Sequence, residues 1–392
     1  MKSKRIISLL VIVFIILILG IIFPSFINKP AKWDFYNFDR YVNIAQSFSG
    51  YLMPFIALIG AVITFYAFYV QYEANQNIRK QFTEEQNNAH FYEMLKIHIE
   101  NVKEFKIESF HTKKTLQKEK RNIDFNEILR TRKFKKYDEK SITENIFSKY
   151  TTGRKCFILM LKDLHFTIEI AFQKNEELSD SLDKGMLLKV AYRIFFWGTN
   201  SHHKYPKRKK DLTDKQIEAI DLIDKGLNDI RKTFKNKIKG TSVNFDYHVE
   251  KDKKVGMNFR FIPLSGHSTK LAHYYRHLYQ TAKHIYKTSK HQEKEFVESD
   301  EIDFRFATLR AQMSNEEQLL FYYNYRIGFG HKWDVRYDTN SEGSNNYLFL
   351  SKYKMIHNIP LYNTIHHFVE NPIEHFKEYT DKHPNADLFE WS

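Results

Sequence analysis

The densest run of chemically capable side chains is AHYYRHLYQTAKHIY, Ala272 to Tyr286. On a helix, His273 and His277 stand one turn apart on the same face, with His284 two turns further on and Arg276 and Lys283 beside them. Two imidazoles at that spacing can hold a metal or exchange a proton, and a neighbouring guanidinium can grip a phosphoryl group. The same residues can equally form a polar network that fixes helix packing, because the interleaved Tyr and Leu residues supply core. No glutamate completes a zinc-protease pattern, and the only cysteine, Cys156, lies in the apolar run CFILML, so no metal is implied.

A second constellation is RAQMSNEEQLLFYYNY, Arg310 to Tyr325. Ser314 followed three residues later by Glu317, ahead of an apolar run, is a capping box, in which serine oxygen and glutamate carboxylate satisfy each other's backbone N–H groups. That accounts for two polar residues and leaves Arg310, Gln312 and Asn324 without a local role. The Arg-x4–6-His spacing of HEPN-type ribonucleases is not met from Arg310, since no histidine follows in this helix until His331. A third feature is the loop TNSHHKYPKRKKD, Thr199 to Asp211, whose tip carries Lys207, Arg208, Lys209 and Lys210. It is either a solvated loop tip or a contact for phosphate. Phosphate-loop, dinucleotide-loop, zincin and serine-hydrolase signatures are all absent. The sequence points to no cofactor, and no catalytic residue is identified by pattern.

The elements that must position these residues begin at a membrane. Ile6 to Phe23 is uncharged and long enough to cross most of a bilayer's ~30 Å hydrocarbon layer. Lys2, Lys4 and Arg5 before it also suit a signal peptide, but the following FPSFINKPAKW offers no small-residue cleavage site. Tyr51 to Val70 is a second uncharged run with Tyr at both ends, and Pro54 falls where a first helical turn tolerates it. The expected organisation is a two-span anchor over 1–70, with spans at about 6–23 and 51–70 and an external loop 24–50, a helical stalk over 71–110, and a soluble domain over 111–392. Lys and Arg crowd the amino terminus and follow the second span at Arg79 and Lys80, so both the N-terminus and the large domain are expected in the cytoplasm of a bacterial cell, at its inner membrane.

The fold expected for the remainder is mainly α, with one short β-hairpin. Ile78, Phe82, Ala89, Tyr92, Leu95, Ile99 and Val102 make one helical stripe, which either joins the domain core or pairs in a coiled-coil dimer. Residues 106–150 are charge-dense and read as irregular or loosely packed helix. Cys156 to Phe172 and Met186 to Trp197 read as core helices, and Thr213 to Asn236 as an amphipathic one with Thr213 and Asp214 as caps. Thr241 to Glu250 and Lys254 to Leu264 alternate as the hairpin. Helices follow at Ser265 to Ser289, at Asp303 to Tyr325 with a break near Ser314, at Asn346 to Asn358, and near the C-terminus. The net charge of +14 suits anionic lipid headgroups or nucleic acid, or only a solvated Lys/Glu surface.

Two membrane spans followed in order by FYEMLKIHIENV (Phe91 to Val102), TGRKCF (Thr152 to Phe157), HYYRHLYQ (His273 to Gln280) and LRAQMSNEEQLLFYYN (Leu309 to Asn324) resemble the putative phage abortive infection proteins, the AbiC-like family. The departures are Ala272, where a glycine is expected, and the basic insert Lys207 to Lys210. The resemblance implies anti-phage defence, in which an infected cell arrests or dies before progeny emerge, and similar two-span proteins look like effectors of some retron systems. It supplies no reaction, and His273, Arg276, His277, Arg310, Gln312, Ser314, Glu317 and Asn324 carry over as motif residues without a role. The expected function is a membrane-anchored effector that senses an infection signal, with homo-oligomerisation through spans and stalk; the alternatives are a tethered ribonuclease and a non-enzymatic scaffold.

Overall fold

A computed structural model describes residues 38–118, 121–124, 142–237, 243–250, 253–292, 299–335, 347–360 and 367–390, together with Ile15 and Ile18. The expected span at Ile6 to Phe23 therefore lies almost wholly outside the described residues. The chain divides into two compact units, Met1–Ala89 and His90–Ser392.

Apart from Ile15 and Ile18, the described part of the first unit lies in helix α1, Phe38–Lys103. Within Met53–Lys103 this helix is long and apolar enough to cross a membrane, by length and composition. Met53, Ile56, Leu58, Ile63, Phe65 and Phe68 are all exposed, Phe65 at 78%, which in water would be costly along one continuous stretch. Two expectations need correcting. The helix starts at Phe38, so the end of the expected loop 24–50 is helical, and Pro54 lies inside the helix instead of in its first turn. Proline removes the N–H that would serve the Gly50 carbonyl, and a glycine there leaves room for the ring.

In the second unit α1 contributes its last turns, which bury Phe91, Leu95, His98 and Val102. The buried stripe is rotated from the one expected, since Tyr92 is exposed and Ile99 only partly covered, and it carries a histidine among apolar residues. The helix ends at Lys103, short of the expected stalk end at 110. The described part of the charge-dense stretch after it, 106–118, 121–124 and 142–150, is a sheet, not loose helix: β1 (Lys106–Lys118) pairs antiparallel with β2 (Arg121–Asp124) on one edge and β3 (Ile142–Thr152) on the other. The register Lys106↔Thr152 through Leu116↔Ile142 brings together Ile, Thr, Phe and Tyr residues, whose strand preference outweighs the interspersed lysines.

Helix α2 (Lys155–Glu177) is the centre of this unit, packed by α3 (Lys184–Trp197), α4 (Asp214–Lys237) and α7 (Asn315–Ile327). It buries residues around its circumference, as a helix enclosed by neighbours must. Cys156 is fully buried there. Thr213 and Gln216 form a reciprocal capping pair at 3.3 and 3.1 Å that starts α4. The expected hairpin is present as β4 (Val243–Glu250) with β5 (Lys253–Phe259), and Phe259 packs on Phe166 of α2 and Phe234 of α4. With the three-stranded sheet, the described residues hold two sheets where one hairpin was expected.

Two close contacts aim the next helix, α5 (Ser268–Gln292). Buried Asp163 of α2 accepts the Leu264 N–H at 2.8 Å and pairs with His267 Nε2 at 2.8 Å. Gly198 and Gly266, both at positive φ, let the chains touch: a Cβ on Gly266 would stand 2.7 Å from the Gly198 nitrogen. Helix α6 (Ser299–Ala311) packs against α5, and α7 follows after the break anticipated near Ser314. A short helix, α8 (Pro372–Lys382), lies near the C-terminus as expected.

The helix expected at Asn346 to Asn358 is absent from its described part, 347–358, which is turns and a bridge between Asp334 and Leu348. Its apolar spacing imitates a helix, but the Asp334 carboxylate takes the Ser351 N–H at 2.7 Å and Lys354 sits at φ +53°. Those bonds fold the segment so that Tyr347, Phe349, Leu350, Tyr353, Met355 and Ile356 are all buried without helical order.

Candidate functional site: a buried polar cluster where four motifs meet

Four segments far apart in sequence bring polar groups to one place in the core. Helix α1 supplies His98, the turn between β3 and α2 supplies Arg154, α5 supplies Tyr274 and His277, and the start of α7 supplies Ser314 and Glu317. His98, Tyr274 and Glu317 are each 1% exposed. The His98 ring lies 5.3 Å from the Tyr274 ring and 6.3 Å from that of His277, centroid to centroid. Phe105 and Phe157 close over Tyr274 at 6.0 and 5.3 Å.

Arg154 reaches in from the surface, and its Nε stands 3.8 Å from Glu317 Oε1 while its Nη2 donates to the Gln312 carbonyl at 2.6 Å. Gly153, at φ +64°, makes the turn that points it there, and its N–H bonds the Phe105 carbonyl at 3.0 Å. The expected capping box at Ser314 and Glu317 is formed: Ser314 Oγ accepts the Glu317 N–H at 3.3 Å and Glu317 Oε2 accepts the Ser314 N–H at 3.2 Å.

The cluster is under-satisfied. Both nitrogens of His98 and Nδ1 of His277 are buried without a hydrogen bond, and the Tyr274 hydroxyl lies against the Glu317 carboxylate in a contact short of full hydrogen-bond geometry. Burial raises the Glu317 carboxyl to about 7, against the opposing pull of Arg154. Burial lowers His98 to about 4, helped by His277 and Arg154, so its ring is neutral at neutral pH. His277 is lowered by burial and by His273, and burial with the Glu317 charge raises Tyr274. A carboxyl that titrates near neutrality, set beside a tyrosine hydroxyl it contacts and a neutral histidine that lacks partners, is a group that can change its charge and its bonding together. With three members at 1% exposure, it is a closed junction between α1, α5 and α7 and not an open catalytic cleft.

The other motif residues lie elsewhere. His273 and Arg276 are exposed on α5, and His284 packs edge-on against His90 of α1 at 4.6 Å, away from the His98 cluster. Arg310 donates to the Lys354 carbonyl at 3.0 Å and so ties α6 to the segment 347–360; burial lowers it. Buried Asn324 accepts from the Tyr192 hydroxyl at 2.9 Å and the Phe329 N–H at 3.3 Å. Lys207, Arg208, Lys209 and Lys210 are exposed, and the base of their loop is pinned to α4 through Lys204, 2.8 Å from Asp221 and 2.7 Å from Asp224.

An Arg-x4-His spacing does occur at Arg326 and His331, but Arg326 is paired with Glu370 while His331 is exposed on the turn after α7, and no contact joins them among the described residues. His98, Arg154 and Tyr274 lie within the motifs, and residue spacing does not mark them as site residues. A histidine on the buried stripe of an otherwise apolar helix face, and an arginine directly after a turn glycine, were the signals for two of them.

Residues 266–364 match the family model described as putative phage abortive infection protein. This match upholds the resemblance read from the motifs and takes in the last two of them; the first two, with His98 and Arg154, lie outside it. No curated protein and no solved structure matches the chain.

Proposed function

We propose that the chain is a membrane-anchored effector of anti-phage defence by abortive infection, whose large domain responds to an infection signal and whose spans then disturb the inner membrane. One observation carries this reading. Helices α5 and α7 of the matched segment close, through His98, on the last turns of α1, the helix whose earlier part is apolar and exposed. In this account the under-satisfied cluster is the release point: a change in its protonation or packing frees the end of α1. The Lys/Arg distribution supports an orientation with the amino terminus and the large domain in the cytoplasm and 24–50 outside.

The test uses the full chain in cells infected by a phage against which it protects. Membrane potential and RNA integrity are followed together. Depolarisation before any RNA loss supports the reading, and RNA cleavage in cells that still hold their potential replaces it with a tethered nuclease.

A further inference from the structure

The face of α5 that carries Arg276 borders a cavity of about 270 Å³. Its walls are aromatic. Tyr275, Phe196 and Trp333 are buried, while Tyr279 and Phe329 keep surface open to it. The rings brace one another, Phe196 against Phe329 at 5.0 Å and Tyr279 against Trp333 at 5.0 Å. Asn324 fixes the turn behind them, since its Oδ1 accepts the Phe329 N–H and a Cβ on Gly330 would meet its Nδ2 at 2.7 Å.

Two cations stand at this cavity from different elements, Arg276 on α5 and Lys332 on the turn His331–Trp333. Both are exposed, and neither has an ion-pair or hydrogen-bond partner among the described residues. A third, Arg193, lies with its guanidinium 5.0 Å from the Phe329 ring. No carboxylate is among the lining residues.

This combination narrows the occupant. A plain apolar ligand would leave two unpaired cations unused, and a bare anion would leave the aromatic walls unused. A flat ring that stacks, carrying an anionic group that a guanidinium and an ammonium can grip, uses both. The volume falls just below that of pockets for drug-sized ligands and suits one base, with its charged tail at the mouth.

We propose that this cavity is a nucleotide site, in which the base stacks on Tyr279 and Phe329 and the phosphate is held by Arg276 and Lys332. The proposal goes beyond the membrane reading and does not depend on it. The same chemistry is offered by a free nucleotide and by a nucleotide within a single strand, and the experiment separates them.

The full chain, purified in detergent, is titrated at equilibrium with the four common ribonucleoside monophosphates, the matching nucleosides, inorganic phosphate, and short single-stranded oligonucleotides. At least one monophosphate or oligonucleotide is expected to bind about tenfold or more tighter than the nucleosides or phosphate. Arg276→Ala should weaken that binding about tenfold with the melting temperature unchanged, Phe329→Ala should weaken it about tenfold in protein that still unfolds cooperatively, and replacing Lys207, Arg208, Lys209 and Lys210 together by Ala should leave monophosphate binding as it is. Equal affinity for monophosphate and oligonucleotide identifies a free nucleotide; tighter oligonucleotide binding, steeply reduced by salt, identifies a strand. The proposal is overturned if no ligand distinguishes base plus phosphate from either part, or if binding survives both Arg276→Ala and Phe329→Ala in folded protein.

Discussion

Helix α5 has two faces that use the same residue types in opposite ways. Toward α1 and α7 it presents Tyr274 and His277, partly or wholly buried and short of hydrogen bonds. Toward the aromatic cavity it presents Arg276, exposed and unpaired, beside Tyr275 and Tyr279. A buried polar group without a partner costs free energy whenever the protein is folded, whereas an exposed unpaired cation costs almost nothing until a ligand arrives. The first face can store a change of state and the second can receive a ligand. The adjacency of the two on one helix makes each a control for the other.

The largest contrast is expected from Arg154→Ala. It removes the bond to the Gln312 carbonyl and the one cation near buried Glu317 among the described residues, and should lower stability by on the order of 1–3 kcal/mol. Because Arg154 opposes the upward push of burial on Glu317, the loss should be greater at pH 8 than at pH 6. Chemical denaturation at the two pH values measures it. An equal loss at both would detach Glu317 from Arg154.

The wild type should itself carry a pH signature from the cluster. Glu317 is raised in the fold to about 7 from 4.5, so its contribution is complete below about pH 4.5 and is lost as pH rises through 7. His98 is lowered to about 4 from 6.5, so its contribution is complete above about 6.5 and is lost as pH falls toward 4. Glu317→Gln keeps a side chain able to form the capping box while removing the titration. Between pH 5 and pH 8 its stability should shift relative to wild type in the variant's favour, by on the order of 1–3 kcal/mol. A constant difference across that range would mean that Glu317 does not titrate there.

Smaller effects follow. Ser314→Ala should cost about 1 kcal/mol through the lost cap. On the other face, Arg276→Ala should change stability by less than about 0.5 kcal/mol, as expected for an exposed side chain without partners. A large loss there would show that α5 depends on Arg276 for packing, and would remove the contrast between the faces.

The sequence made the helices of the second unit legible wherever apolar periodicity was strong, at 156–172, 186–197 and 213–236, and it marked the capping box outright. It misled where composition and periodicity pulled against tertiary contacts. Lysines hid the strands β1 and β3, whose Ile, Thr and Phe content was the truer signal, and the spacing of Tyr347 to Ile356 imitated a helix that Asp334 and the positive-φ Lys354 prevent. For the site, the four motifs were visible as strings while their meeting point was not. His273 and His277 looked like a pair by spacing, yet His273 is exposed while the His277 ring faces buried His98, distant in sequence, at 6.3 Å.

The reading of the buried cluster as a release point, in which His98 serves function and not stability, is tested most directly by His98→Leu in the full chain. Both ring nitrogens of His98 are buried without a partner, so an apolar replacement removes a cost and should leave the melting temperature unchanged or higher. The account predicts that this protein, inserted in the membrane at wild-type level, no longer protects cells against phage. Wild-type protection by the His98→Leu protein would contradict it.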